Sequence, residues 1–171
     1  MNEAVQAAIN DQIKHEFDSA YFYLQESAYF ESINQEGFAH WMRVQAKEEV
    51  AHAMKFFDFL VDRGARVTLR GLDQPHSDFA SPLDAFSRAL QHEQDVTAKI
   101  NKLYGLAVAQ SDYPAQVLLQ WFITEQVEEE KNATRIVEEL KMVGGNTSAL
   151  LLLNRELGAR QPESAQTGES A

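Results

Sequence analysis

Glu49 and His52 stand three residues apart in Lys47-Glu48-Glu49-Val50-Ala51-His52, a spacing that puts a carboxylate and an imidazole on one face of a helix. That face is otherwise mostly apolar. Phe38, Met42 and Gln45 precede the pair, and Phe56, Phe59 and Leu60 follow it, at steps of three or four. A carboxylate and an imidazole inside a buried stripe are costly unless something pairs with them. A metal ion would serve, and the missing ligands must then come from elsewhere in the chain. Three other helical stretches offer them. Glu16 lies one turn from Ile13 and Ala20, Glu93 lies between Leu90 and Thr97, and Glu125 and Glu129 lie between Phe122 and Ile136. Four helices each burying a carboxylate near mid-length would repel one another, and two or more cations at the centre would neutralise them.

The pattern repeats within the chain. Glu16 is followed 33 residues later by Glu49-x-x-His52, and Glu93 is followed 33 residues later by Gln126-x-x-Glu129. Two helix pairs, each giving one glutamate and an i, i+3 polar pair, predict a pseudo-twofold site for two inequivalent metals. The first would take Glu16, Glu49 and His52; the second would take Glu93, Glu129 and a bridging Glu49. Oxygen-rich ligands with one imidazole suit iron or manganese and admit zinc. Iron is the choice for redox work, in which the centre would bind oxygen and oxidise Fe(II). Tyr23, two turns beyond Glu16 on the same face, is placed to donate a hydrogen bond or an electron. Glu48, Glu125 and Glu128 are displaced but adjacent, candidates for a third, weaker ion. His15, His40, His76 and His92 read as structural or surface residues, and Trp41 and Trp121 as packing residues.

Positioning these groups requires long helices. The first runs from about Asn2 to Ile33, with Ile9, Ile13, Phe17, Ala20 and Leu24 on its inner face, and the break Asn34-Gln35-Glu36-Gly37 ends it. So short a link implies an antiparallel neighbour. The second runs from about Phe38 to Arg63, with Gly64 at its C-cap. From Ala65 to Ser81 the pattern fails, and a crossover along a bundle explains why: the stretch reaches roughly 50–60 Å, against roughly 40 Å for the second helix. Ser81-Pro82-Leu83-Asp84 restarts a helix, with serine at the N-cap and proline at N1. That third helix runs to about Gln110, on Phe86, Leu90, Thr97, Ile100, Tyr104 and Ala107. After Ser111-Asp112-Tyr113-Pro114 a fourth carries Leu118, Phe122, Ile136, Val137 and Leu140 to Gly144-Gly145. A fifth, short helix spans about Asn146 to Leu157. The expected architecture is all-α: an up-down-down-up four-helix bundle with a long crossover and a short C-terminal helix, one domain over residues 1–158, then a polar, disordered tail at 159–171.

Bulk composition narrows the chemistry. At 171 residues and 44% apolar content the chain can build one full-sized core. A net charge of −11 argues against nucleic acid as a partner. Cysteine is absent, which removes disulfides, thiolate zinc sites and iron–sulfur clusters, so any metal is held by oxygen and imidazole. Neither a basic-then-apolar leader nor a membrane-spanning apolar run is present, and the cytoplasm is the expected compartment.

From about Ala4 to Leu157 the chain resembles the bacterial non-haem ferritins. The resemblance rests on His15-Glu16-Phe17, Tyr23, Glu48-Glu49-x-x-His52, Glu93 and Glu125-Gln126-x-x-Glu129-Glu130-Lys131. It implies a ferritin-like fold and a hollow 24-subunit shell. It implies oxidation of Fe(II) by dioxygen or peroxide at a two-iron centre, with ferric mineral stored inside. By resemblance, Glu16, Glu49 and His52 bind the first iron and Glu49, Glu93 and Glu129 the second. Gln126 lies beside the centre, and Glu48, Glu125, Glu128 and Glu129 form a third site. The leucine-rich segment 147–157 would line the fourfold contact, accounting for an apolar run that a four-helix core does not need. Haem-binding relatives carry methionine after the second-helix glutamate; Val50 stands there, so no haem is expected. Acids that line a threefold channel in animal ferritins correspond to Gln116 and Leu119, which leaves another pore to admit iron.

Three rivals remain at this point. A di-iron oxidase of the rubrerythrin kind would share the central ligands, but no cysteine pairs are present for a rubredoxin-like iron. Twelve-subunit ferritins place their metals between subunits and lack the fifth helix. A metal-free bundle would leave its buried acids unpaired, at several kcal/mol each.

Overall fold

The computed structural model describes residues 1–161, and all regular structure among them is helical. The helices are α1 (Glu3–Ser32), α2 (Glu36–Asp62), α3 (Pro82–Ala109), α4 (Tyr113–Val143) and α5 (Thr147–Leu157). Each long helix starts or stops where local chemistry dictates. Ser81 caps α3 by accepting from the Asp84 N–H at 3.1 Å, with Pro82 at the first position. Asp112 caps α4 by accepting from the Ala115 N–H at 3.2 Å, and both its oxygens also take N–H groups of Arg63 at the end of α2. Gly64, at φ +65°, supplies the left-handed residue that ends α2.

α1 pairs with α2 and α3 pairs with α4 as antiparallel neighbours, while residues 65–81 run the length of the bundle without regular structure. Side chains hold this crossover. Asn10 accepts from the Thr68 N–H at 2.6 Å and donates to the Arg66 carbonyl at 3.2 Å, and Lys14 reaches Asp73 at 2.7 Å.

Two apolar clusters fill the bundle. One holds Phe30, Phe38, Met42, Phe86, Ile136 and Leu140; the other holds Ile9, Ile13, Phe56, Ile100, Leu119 and Phe122, with the Phe56 and Phe122 rings stacked at 4.0 Å. The acids read from the sequence lie on the turns of the helices between these two clusters.

The structure revises several expectations. Leu24 is half-exposed, and the inner face of α1 passes instead through Tyr23, Ser27 and Phe30. Leu119 is fully buried in the core, so it cannot line a channel, and the Gln116 amide donates to the Ala107 carbonyl. The leucine run of α5 is only partly spare. Leu153 and Leu157 belong to the first apolar cluster, whereas Leu151 and Leu152 face outward. α5 sits against the start of α2, where Asn154 accepts from the Phe38 N–H at 2.9 Å. A Cβ at Gly37 would lie 1.7 Å from the Asn154 carbonyl oxygen, so only glycine permits this approach.

Candidate metal centre

α1 and α2 bring Glu16, Glu49 and His52 together. Each offers one ligand atom, and these atoms lie within 4.8 Å of one another, all three side chains buried. The His52 Nδ1 is 3.6 Å from Glu49 Oε2. Gln12, one turn before Glu16, donates to Glu16 Oε1 at 2.7 Å. Burial, and then the charge of Glu49, push Glu16 up to about 8.

α3 and α4 contribute Glu93 and Glu129, also buried. Glu93 takes hydrogen bonds from the Tyr23 hydroxyl on one oxygen and from the Gln126 amide at 3.2 Å on the other. The Gln126 amide nitrogen also lies 3.2 Å from the Glu93 carbonyl and from Thr97 Oγ1. Glu129 Oε2 accepts from Gln45 at 2.7 Å. Burial raises Glu49, Glu93 and Glu129 above the ordinary carboxylate range, and mutual repulsion among the three adds to this for Glu49 and Glu129. Tyr23 is fully buried and holds its proton well beyond the usual phenol range, for the same reasons. A buried layer of carboxylates with one imidazole matches the donor chemistry of hard, oxygen-seeking cations.

The outer acids are placed differently. Glu125 Oε1 approaches His52 Nε2 at 3.9 Å, Glu128 is exposed, and Glu48 Oε2 receives an N–H of Arg160 at 2.6 Å. His92 is partly buried, stacked on Phe22 at 4.5 Å and bonded to Ser19, and burial lowers it to about 4. Trp121 packs edge-on against Phe122 at 4.9 Å. It is partly exposed, meets His52 edge-on at 5.4 Å and lies under the Lys55 ammonium.

Four participants escaped the sequence reading. Gln12 and Gln45 each precede a central glutamate by four residues, a repeat that could have marked them. Arg160 falls in the stretch expected to be a disordered tail, yet it bonds to Gln45 and Glu48, while residues 162–171 of that stretch lie outside the described residues. Glu26, on α1 one turn past Tyr23, is fully buried, and neither oxygen has a hydrogen-bond partner among the described residues.

Residues 6–143 match the model of the ferritin family, described as a ferritin-like domain. A bacterial non-haem ferritin of Staphylococcus aureus is 39% identical over 153 residues, covering 90% of this chain and 92% of the relative. The Staphylococcus haemolyticus protein of the same description is 37% identical over the same span. Among solved structures, an open-pore ferritin from the hyperthermophilic archaeon Archaeoglobus fulgidus superposes with a TM-score of 0.93 at 46% identity, covering 94% of this chain and 99% of that one. With the family model spanning most of the chain and relatives of this identity along nearly its full length, the chain belongs to the ferritin family and is similar to its bacterial non-haem members.

Proposed function

We propose that the protein is an iron-storage ferritin with ferroxidase activity. Fe(II) is its substrate, and two ions per subunit bind between the four long helices. Glu16, Glu49 and His52 hold the first; Glu93 and Glu129 hold the second, with Glu49 between them. The observation that carries this reading is the convergence of Glu16, Glu49 and His52 ligand atoms within 4.8 Å, in a buried layer that Glu93 and Glu129 complete.

The chemistry follows from the side chains. The carboxyls release their protons as the cations enter, so binding is coupled to proton release. Each Fe(II) gives up one electron. Dioxygen accepting two electrons and two protons leaves as hydrogen peroxide; peroxide accepting two electrons and two protons leaves as two waters. Gln12, Gln45 and Gln126 hold the carboxylates in orientation by donating to them. Tyr23 holds Glu93 through its hydroxyl and is the redox-active side chain we assign to the centre. Ferric product collects as mineral inside a hollow 24-subunit shell in the cytoplasm. With Val50 after Glu49, the reading includes no haem.

Glu49→Ala tests the centre. Loss of a residue that orients a ligand costs about 10–100-fold in metal affinity or activity. Loss of Glu49 itself should slow Fe(II) oxidation by at least about 100-fold, with the particle mass unchanged. Oxidation at the native rate in an intact Glu49→Ala particle would refute the assignment.

A further inference from the structure

Arg160 follows α5 by three residues and turns its guanidinium back onto the middle of α2. One N–H donates to Gln45 Oε1 at 2.6 Å and another to Glu48 Oε2 at 2.6 Å, while the guanidinium lies 4.7 Å over the Trp41 ring. The Arg160 carbonyl pairs with His40 Nε2 at 2.9 Å, which fixes the backbone beside the side chain. Exposure is low on both sides of the ion pair, 19% for Arg160 and 13% for Glu48, so solvent screens it little.

The contact continues inward. A guanidinium has only donors, so Gln45 must turn its oxygen toward Arg160 and its amide nitrogen toward Glu129. That nitrogen donates to Glu129 Oε2 at 2.7 Å. Arg160 therefore touches, directly or through one amide, two of the carboxylates that a third cation beside the centre would need. Its delocalised charge and planar fork of donors suit it to span the two acceptors together.

We propose that Arg160 is a tethered counter-ion that occupies the charge position of the third cation, holding Glu48 away from metal until the guanidinium is displaced. The inference rests on the two-metal reading above. A cation leaving the buried centre past Glu48 must then compete with a side chain of the same subunit, and the occupancy of the outer position is set by that competition.

Terbium(III), a probe for oxygen-rich sites, tests this on the metal-free, assembled full chain. Native protein, Arg160→Ala, Arg160→Lys and the double variant Arg160→Ala/Glu48→Gln are compared by bound ion per subunit and by tryptophan-sensitised emission, for which Trp41 is the local donor. Arg160→Ala should bind an additional ion at the outer position at least about tenfold more tightly than native protein. Glu48→Gln in that background should remove the gain, and Arg160→Lys should suppress it in part. Unchanged affinity and stoichiometry in Arg160→Ala would overturn the proposal. Cobalt(II) absorption in native protein, lost in His52→Ala, reports the buried centre separately. If native protein shows no such band, the two-metal reading fails first; if the band is present and terbium binding is unaltered by Arg160→Ala, the tethered counter-ion alone fails.

Discussion

Glu26 shows how much a single buried carboxyl can decide. Burial, opposed by the Arg88 charge and reinforced by Glu93 and Asp84, holds its proton well above the ordinary range. A carboxyl whose folded-state pKa is raised contributes stability that is full below its unfolded value and lost as pH rises toward the folded one. The folded chain therefore carries a growing penalty above the ordinary value of 4.5. Glu26→Met, of similar volume and with no polar oxygen, should stabilise the protein by about 1–3 kcal/mol at neutral pH. The advantage should shrink toward pH 4.5. Urea midpoints for both proteins at acid and neutral pH measure this, and an advantage that grows on acidification would reverse the sign. At this scale the central acids were legible because a charge in an apolar stripe has few explanations. Glu26 was missed because the stripe of α1 was drawn through Leu24; over 30 residues the 3.6-residue period carries the inner face one position back, to Tyr23 and then to Ser27 and Phe30. The amides of Gln12 and Gln45 look like any polar residue until their acceptors are placed opposite them.

Between elements, the corner where α2 ends and α4 begins depends on Asp112. Its carboxylate caps α4 and binds Arg63 at 2.7 and 3.3 Å, and the guanidinium and the Ala115 N–H hold it below its ordinary value of 3.8. A depressed carboxylate contributes stability present above the unfolded pKa and lost as pH falls through the folded one. Asp112→Ala should cost about 1–3 kcal/mol at neutral pH, through the lost cap and a charge-assisted bond. The difference from native protein should close in acid, below 3.8. Asp112→Asn should keep part of the cap. Thermal or urea unfolding of the three proteins separates cap from ion pair; equal losses in both variants would leave the cap with no share. Helix bounds were read nearly residue for residue here, because Ser81-Pro82 and Gly64 have local causes. The docking of α5 was not, since it depends on Gly37 meeting Asn154 more than a hundred residues away, and periodicity carries no information about such a contact.

Across the whole molecule, the two apolar clusters clamp a polar layer that no apolar core would choose, and that conflict points to function. The charge pattern and its 33-residue repeat put the fold and the convergence of Glu16, Glu49 and His52 within reach of the sequence. The Arg160 contact lay beyond it, because that ion pair joins residues 112 apart in the chain. Self-association has a physical motive in the exposed Leu151, Leu152 and Met142, which a lone subunit would leave in water. The most direct measurement joins assembly to chemistry. Metal-free protein receives Fe(II) in air, and the particle mass and retained iron are determined together. The account predicts a 24-subunit particle that retains iron far beyond the two ions its centres bind per subunit. A monomer or dimer, or a cage that oxidises Fe(II) yet keeps no more iron than its centres hold, would contradict it.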